Sequence, residues 1–239
     1  MKKFLVLIFM SAFLFQYCNG QEKEYKTYYE NGQIKEHYYL DKNGKLAGEY
    51  KLYFSNGKVE KVGKFSNGKK IGVWKHYYES GRLYEIGEFD GEKRIGEFKW
   101  YHENGKVKMI GSYDENGSNK GVWKTYYENG NLRNIGIEKT QSIRIGEWKY
   151  YYENGNLEKQ GVHDFETGYM TGEWKFFYEE KNGQLLAIGN IELGENIGEW
   201  KIYHENGKLK SVGSYDKGNQ IGEWKYYDGR GNLIKTENH

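Results

Sequence analysis

The sequence predicts an all-β fold in which antiparallel β-hairpins follow one another in an elongated, single-layer array, a twisted or curled meander similar to a solenoid. Composition is the first reason, because 24 Tyr, 11 Phe and 7 Trp occur beside 33 Gly and no Pro. Aromatic residues favour strands, and glycine marks turns and places where backbones approach closely. The second reason is a short motif, Gly-x-aromatic-Lys followed by Asn-Gly, that recurs along almost the whole chain.

The first twenty residues do not share this motif. Lys2 and Lys3 form a basic start, residues 4–15 are apolar apart from Ser11, and residues 16–20 are a short polar exit. This order is typical of a secretory signal peptide, and the apolar run is too short for a permanent membrane-spanning helix. We therefore assign residues 1–20 to a signal peptide and expect an exported protein, with Gln21 as its new N-terminus.

Cys18 leaves a second processing route open, and an uncleaved anchor is the third alternative. Cleavage in front of this residue and acylation of its thiol would give an outer-membrane lipoprotein, although Phe15 and Tyr17 differ from the usual lipobox residues. Three locations therefore remain open: the periplasm, the outer membrane through Cys18, and the medium. Because Cys18 is the single cysteine of the chain, disulfide bonds do not hold the fold together.

The charge balance argues against nucleic acid as a partner. The whole chain carries 36 basic and 34 acidic side chains. Removal of Lys2 and Lys3 with the predicted signal peptide leaves 34 of each, a net charge of zero. Binding to a phosphate backbone depends on a basic excess, which the mature chain does not have.

Residues 21–239 are assigned to about nine repeat units of 24–26 residues. An early copy around Tyr25 lacks the opening glycine of the motif, and the last copy is predicted to stop inside its second strand. Differences in unit length fall at predicted turns, because a one-residue insertion in a strand would turn its side chains to the opposite face. The opening glycines are Gly48, Gly72, Gly96, Gly121, Gly146, Gly172, Gly198 and Gly222.

Each unit is predicted to fold into a hairpin around its Asn-Gly pair. A two-residue type I′ turn at Asn154-Gly155 is the expectation, because this turn needs a positive φ at both positions. Folding the strands back from it sets Trp148 opposite Gly161 and Tyr151 opposite Glu158. The ring of Trp148 is then expected to cover the bare backbone of Gly161, an arrangement that stabilises sheets.

Strand alternation divides the side chains between two faces of the predicted sheet. Trp148 and Tyr150 lie on an apolar, aromatic face, whereas Lys149 and Tyr151 lie on a face with a tyrosine row flanked by charge. Two strands per unit, with an incomplete last unit, give about seventeen strands and a width of about 80 Å.

The string Gly-Glu-Trp-Lys-x-Tyr-Tyr-Glu-Asn-Gly-x-Leu, followed by Gly-x-Tyr and a second glycine turn, resembles the MORN repeat family. It looks most like the bacterial variant, which is often labelled as the antitoxin component of a toxin–antitoxin pair. The resemblance extends from Glu24 to His239. It implies an elongated, curved array of β-hairpins without chemistry of its own, which contacts proteins or membrane lipids.

The residues predict no catalysis, no metal site and no cofactor. The histidines lie outside the usual metal-ligand spacings, and His102 and His204 each replace a tyrosine of the repeat. Recurring glutamates such as Glu153 lie at hairpin tips, whereas hydrolytic acid–base pairs need two distinct environments. The least repeat-like stretch, His-Asp-Phe-Glu at 163–166, is interpreted as a solvated turn, with a divalent-cation site as the alternative.

The aromatic surfaces point to binding. A single-layer sheet leaves broad faces for another surface to cover, and Tyr and Trp are enriched where proteins bind tightly. We expect a non-enzymatic binding or scaffolding protein that holds a protein partner across several repeats. The alternatives are a carbohydrate- or envelope-binding module that stacks sugars on the same rings and an antitoxin-like neutraliser of a toxin. The candidate binding residues are Trp123, Trp148, Trp174, Trp200, Tyr126 and Tyr151.

Overall fold

The computed structural model describes residues 22–140, 143–181 and 183–239, all in strands and the turns between them. The predicted signal peptide, Cys18 and Gln21 lie outside these described residues. Within the described residues, eighteen strands form one sheet. Their bounds are Lys23–Tyr28 (β1), Ile34–Leu40 (β2), Leu46–Tyr53 (β3), Val59–Ser66 (β4), Lys69–Tyr77 (β5), Leu83–Asp90 (β6), Lys93–Tyr101 (β7), Val107–Tyr113 (β8), Asn119–Tyr126 (β9), Leu132–Thr140 (β10), Ile143–Tyr151 (β11), Leu157–His163 (β12), Met170–Phe177 (β13), Leu185–Glu192 (β14), Glu195–Tyr203 (β15), Leu209–Asp216 (β16), Asn219–Tyr227 (β17) and Leu233–Asn238 (β18).

The strands form a simple meander. Each strand pairs antiparallel with the one before it and the one after it, and within the described residues β1 pairs with β2 alone and β18 with β17 alone. The predicted all-β hairpin array is confirmed. The strand count is one higher than predicted, because Leu233–Asn238 completes the last hairpin.

The turns at the hairpin tips are not the predicted type I′ turns. In the loop between β11 and β12, the backbone amide of Gly155 donates to the carbonyl of Tyr152. The backbone amide of Tyr152 donates to the carbonyl of Asn156. Gly155 has a φ of 91°, whereas Asn154 is not in the positive-φ region. The loop therefore has three residues, a type I turn followed by a left-handed glycine. The side chain of Asn154 donates to the carbonyl of Glu179 in the next unit.

Two-residue type I′ turns occur instead at the opposite edge of the sheet, between one hairpin and the next. Lys217 and Gly218 have φ values of 46° and 79°, and the flanking Asp216 and Asn219 are paired. Asn67-Gly68 and Leu193-Gly194 adopt the same pair of positive φ values. Leu-Gly and Lys-Gly are weaker hairpin signals than Asn-Gly, so two of these three turns carry little sign in the sequence, whereas Asn67-Gly68 carries the usual one.

The predicted strand register is confirmed over most of the hairpin and wrong near its tip. Trp148 lies opposite Gly161, as expected. Tyr151 lies opposite Leu157 rather than Glu158, because the register shifts between Tyr150 and Tyr151. The three-residue loop is the reason, since it leaves one extra residue in the returning strand.

The predicted stacking of the ring of Trp148 on Gly161 is wrong, because the indole covers a different glycine. A Cβ added to Gly136, in the strand before Trp148, would overlap its indole, whereas one added to Gly161 would overlap Trp174. Gly146 and Glu147 bulge out of the pairing between β10 and β11. The indole Nε1 of Trp148 turns towards this bulge and donates to the carbonyls of Ile137 and Ile145, both at 3.2 Å.

The indoles therefore join consecutive repeat units rather than the two strands of one hairpin. Trp174 donates in the same way to Val162 and Thr171, and Trp200 and Trp224 each donate to a carbonyl of the preceding strand. The seven glycines whose added Cβ would overlap a ring of the following unit are Gly63, Gly87, Gly111, Gly136, Gly161, Gly189 and Gly213.

The core lies along one face of the sheet, which we call the tryptophan face. It consists of two clusters of buried side chains, one from Trp74 to Trp123 and one from Trp148 to Trp224. Aromatic neighbours within them meet edge to face, as Tyr113 does on Trp123 at 5.4 Å between ring centroids. Such pairs add to the stability that burial of apolar area provides.

Candidate binding surfaces

The tryptophan face is closed by its own side chains. Arg94 lies over the rings of Phe98 and Trp100, at 5.2 and 5.8 Å from their centroids. Arg144 covers Trp148 at 4.8 Å, and Lys70 covers Trp74 at 5.0 Å. Cation–π attraction and the apolar stems of these side chains thus shield the rings from water. This is how a single-layer sheet buries a core without a second layer.

The four tryptophans predicted to hold a partner lie inside this covered face. Trp123, Trp148, Trp174 and Trp200 expose only 3, 2, 0 and 5% of their surface. Their rings lie against glycine backbone of the preceding unit. In this structure they therefore present almost no area that a partner can touch, and their direct contribution is to packing.

One buried carboxylate departs from the repeat. Glu85 is 5% exposed on the tryptophan face and accepts a hydrogen bond of 2.7 Å from the indole Nε1 of Trp100. Arg94 pairs with it at 3.2 Å, and the Nδ1 atom of His76 lies 3.7 Å away. Burial lowers the pKa of His76, against the attraction of Glu85. Because Arg94 compensates the carboxylate, this group serves the fold as a satisfied ion pair.

Residues 164–166 of the His-Asp-Phe-Glu stretch lie in a turn, as the sequence interpretation favoured, whereas His163 ends β12 and is buried rather than solvated. Asp164 accepts the amides of Glu166 and Thr167 at 3.0 and 2.8 Å. His163 is buried beneath it and contacts the carbonyl of Gly168 through Nδ1 at 2.7 Å. Since a carbonyl only accepts, Nδ1 carries the proton, and Nε2 accepts from the hydroxyl of Tyr150 at 2.9 Å.

The opposite face, called the outer face below, carries one continuous row of side chains in register across all eighteen strands. Lys149 lies opposite Ile135 on one side and Gln160 on the other, and the same alternation holds in every unit. Nine lysines thus stand on alternate strands, about 10 Å apart. They are Lys26, Lys51, Lys75, Lys99, Lys124, Lys149, Lys175, Lys201 and Lys225, and they define the lysine row.

Aliphatic side chains occupy most of the places between these lysines. Val62, Ile86, Ile110, Ile135, Ile188 and Val212 stand between consecutive lysines. Lysine stems cover part of such apolar surface while the ammonium groups stay in water. The sequence contains a signal for this row, since Lys follows the aromatic residue in every unit. Whether these lysines line up across the sheet depends on the register of each strand pair.

A row of acidic residues runs beside the lysine row, two positions before the lysine on seven of the nine lysine-bearing strands. Glu199 lies 2.9 Å from Lys201, and Glu97 lies 2.8 Å from Lys99. The hydrogen bond and charge of Glu199 raise the pKa of Lys201, and Glu97 does the same for Lys99. Exposed pairs of this kind contribute little stability, so they chiefly set the charge pattern of the face.

Tyr126 and Tyr151 belong to a third row on the outer face, two positions after the lysines. Both are partly exposed and stand in successive units, about 10 Å apart. Among the six predicted binding residues these two retain surface that a partner can reach. Phe177 takes the equivalent place two strands further on and is buried.

The hairpin tips are joined from unit to unit by a ladder of side-chain hydrogen bonds. The hydroxyl of Tyr127 donates to the backbone carbonyl of Tyr151, and the side-chain amide of Asn129 donates to the backbone carbonyl of Glu153. His102 takes the tyrosine's place, with its Nε2 atom 2.9 Å from the carbonyl of Tyr126. The histidine is therefore a substituted member of the ladder, as the sequence interpretation proposed.

The described residues include neither a metal-binding cluster nor a membrane-spanning helix. Across residues 22–140, 143–181 and 183–239, no group of three or more His, Cys, Asp or Glu side chains is arranged to hold a metal ion. No helix in this part of the chain is long and apolar enough to cross a membrane.

The repeats identify the class of protein. A family described as MORN repeat variant matches seven segments that together span more than half of the sequence, so the chain belongs to this family. The expected resemblance is thereby confirmed. The matched segments are residues 21–42, 46–67, 70–90, 94–117, 120–136, 144–164 and 197–217. A comparison with curated proteins gave no match.

Similar solved structures share little of the sequence. A structure of a mutant of S. aureus TarM in complex with Fondaparinux, alpha-GlcNAc-glycerol and UDP is 13% identical over 48% of this chain and 19% of that one, with a TM-score of 0.24. TcdB2-TccC3 without its hypervariable C-terminal region is 15% identical over 92% of this chain and 12% of that one, with a TM-score of 0.23. The Photorhabdus luminescens Tc holotoxin pore is 10% identical over 90% of this chain and 15% of that one, with a TM-score of 0.19. The chain spans less than a fifth of each, and these scores carry no functional argument.

Proposed function

We propose that this protein is a non-enzymatic, exported repeat protein that binds a protein partner across several units of its outer face. The lysine row carries the proposal. A charged and aliphatic row in register over eighteen strands, flanked by acidic and tyrosine rows, offers the same chemical pattern about every 10 Å. Such a pattern suits an extended partner that makes many similar contacts.

The outer face is favoured over the tryptophan face because of what each leaves accessible. Arg94, Arg144 and Lys70 lie over the tryptophan-face rings, whereas the outer face has no layer of this chain above it among the described residues. Tyr126 and Tyr151 therefore contact the partner in this proposal. The tryptophans pack the opposite face of the sheet and so stabilise the strands that carry these two tyrosines.

The repeated carboxylates support a role without catalysis. The glutamates beside the lysine row recur in equivalent, exposed places, such as Glu173, Glu199 and Glu223. An acid–base pair depends on two carboxylates in different environments, which a periodic exposed row does not provide.

The test is affinity capture of the tagged full chain from cell-envelope extracts, with mass spectrometry of what is retained. We expect one polypeptide at a fixed ratio to the wild-type chain, and at least tenfold less of it on the Tyr126→Ala/Tyr151→Ala variant. Glu153→Ala, at an exposed hairpin tip, is the matched control and should retain the partner. Equal capture by all three chains, or by none, would contradict the proposal. A toxin among the captured polypeptides would identify the antitoxin-like form of the same binding.

The tyrosine row favours a second candidate, a carbohydrate- or envelope-binding module. Tyr126 and Tyr151 offer partly exposed rings about 10 Å apart, beside lysines and glutamates that hydrogen-bond hydroxyls. Glycan-array binding that disappears in Tyr126→Ala/Tyr151→Ala would establish this candidate. Binding that persists in that variant would argue against it.

Export is tested on the N-terminus of the protein recovered from cells. Cleavage after Gly20 predicts a chain that begins at Gln21, whereas lipidation predicts an acylated Cys18. Recovery of the uncleaved chain from the cytosol would overturn this part of the proposal.

A further inference from the structure

The acidic row of the outer face is interrupted at two positions. Seven strands carry Glu two residues before the row lysine, whereas β5 carries Val73 and β9 carries Val122. Lys75 and Lys124 therefore lack the neighbour that pairs with Lys201 and its equivalents in other units. In a repeat that conserves charge order so regularly, two exposed aliphatic residues at an acidic position need a physical explanation.

Both valines are exposed, but their surroundings differ. Val122 is 51% exposed and lies directly opposite Ile137, which is 39% exposed. Val73 is 55% exposed and lies directly opposite Glu88. The outer face therefore has a bare aliphatic pair at Val122 and Ile137, whereas Val73 has a carboxylate as its cross-strand neighbour.

Two lysines flank this aliphatic pair on the same face. Lys120 and Lys124 lie on either side of Val122 along β9, both with exposed side chains. Lys139 follows Ile137 on β10 but lies where the register shifts, and its Nζ atom donates to the carbonyl of Phe165 at 3.3 Å. Among the described residues neither Lys120 nor Lys124 forms an ion pair. The place is thus apolar at its centre and positive at its rim, and we call it the Val122–Ile137 patch.

We propose that the Val122–Ile137 patch is the docking point for an acidic segment of the protein partner. An aliphatic or aromatic side chain of that segment covers the pair, and its carboxylates meet the ammonium groups of Lys120 and Lys124. This inference rests on the proposed protein-binding function and deepens it. Charge complementarity of this kind raises the association rate and excludes partners with a basic segment.

The substitution that tests the patch is Val122→Glu. It installs the residue that seven other strands carry at this position, so it should leave folding intact. The new carboxylate would neutralise Lys124 and repel an acidic ligand at the centre of the patch. Val73→Glu is the matched control, because it makes the same change two units away, beside Glu88.

The probe is a library of displayed random peptides of about twelve residues, long enough to cross several strands. We expect selection on the purified wild-type chain to enrich peptides that combine Asp or Glu with apolar residues. A synthetic copy of an enriched peptide should bind Val122→Glu at least about tenfold more weakly than wild type, and Val73→Glu within about twofold. Binding should weaken as salt rises from about 50 to about 300 mM, since screening shortens the reach of surface charges.

Several results would overturn the inference. The first is that the selected peptides contain no excess of Asp or Glu. The second is that the synthetic peptide loses the same affinity for both variants or binds Val122→Glu as tightly as wild type. The third is that selection on the wild-type chain enriches no peptide relative to selection on the Val122→Glu chain. Thermal unfolding of all three chains shows whether a loss of binding comes from a loss of folding. A captured partner that still binds Val122→Glu, but not Tyr126→Ala/Tyr151→Ala, would reject the patch and retain the proposed function.

Discussion

The indole of Trp174 lies on the backbone of Gly161, thirteen residues earlier and one repeat unit away. Its Nε1 atom donates to the carbonyls of Val162 and Thr171, both at 3.2 Å. One side chain thus fills the space above the glycine and satisfies two carbonyls at a strand bulge. Six tryptophans and Phe98 each lie on a glycine 11 to 13 residues earlier, which explains why glycine and a large aromatic residue recur together along this chain.

Replacing Gly161 with alanine should destabilise the protein by about 1–3 kcal/mol, because the added Cβ overlaps the indole of Trp174. Trp174→Ala should cost about 3–5 kcal/mol, since it removes a fully buried ring. The double variant should lose less than the sum of the two, because both substitutions affect one contact. Denaturant unfolding measures all three values.

Gly229→Ala is the control for this series. This glycine does not have a positive φ, and a Cβ there would meet only the Asn206 amide at ordinary contact distance. A change of less than about 0.5 kcal/mol is expected. If Gly161→Ala were equally mild, the overlap with Trp174 would not be a constraint on the fold.

The asparagine ladder predicts different effects for two substitutions at one hairpin tip. Asn154 Nδ2 donates to the carbonyl of Glu179 at 3.1 Å, and its Oδ1 accepts from the amide of Asn156 at 2.9 Å. Asn154→Ala loses both bonds and should destabilise by about 1–2 kcal/mol. Asn154→Asp keeps the acceptor but sets a carboxylate beside a carbonyl, so amide exchange at Asn156 should stay slow while the link to the next unit weakens. Faster exchange at Asn156 in the aspartate variant would contradict this division of roles.

Stability should fall as the pH falls from about 7 to about 5, in part through His163. Burial lowers the pKa of this imidazole in the folded chain, against the hydrogen bond to Gly168 and with repulsion from Arg144 and Lys159. Below its ordinary value of about 6.5, the unfolded chain therefore takes up a proton that the folded chain resists. Phe89 occupies the position equivalent to His163 in another repeat unit, so phenylalanine fits this place. The His163→Phe variant should show a smaller decline in melting temperature over this range. An equal decline in both chains would remove His163 from the explanation.

The ion pairs of the outer face should have little effect on stability. Glu199→Gln removes the carboxylate that raises the pKa of Lys201, so that pKa should return towards its ordinary value. The melting temperature should stay close to that of the wild type, as for other exposed pairs. Titration of the lysine side chain by NMR, together with thermal unfolding, checks both statements. A large drop in melting temperature would show that the acidic row supports the fold and not only its charge pattern.

The fold was accessible from the sequence because each signal for it is local. Alternating side chains define a strand within about six residues, and Asn-Gly marks the turn beside it. The opposition of Trp148 and Gly161 follows from counting back from that turn, and the register bears it out. The tip geometry was predicted wrongly, because Asn-Gly fits both a two-residue loop and a three-residue loop that ends in a left-handed glycine.

The surfaces were less accessible because they depend on contacts between units. The lysine row required the register of every strand pair, and the burial of Trp148 required the arginine that lies above its ring. Sequence alternation placed these tryptophans on an apolar face but gave no means of telling whether that face is covered. The patch at Val122 likewise depends on a neighbour from the next strand, Ile137.

By itself the sequence determined that this protein is a chain of β-hairpins with a recurring aromatic residue and a recurring glycine, since strand alternation and turn chemistry act over a few residues. Only the tertiary structure decided which glycine each ring covers, which face remains open and which lysines stand together. The physical reason is that these properties belong to residues one repeat apart, which the bulge at each opening glycine brings into contact.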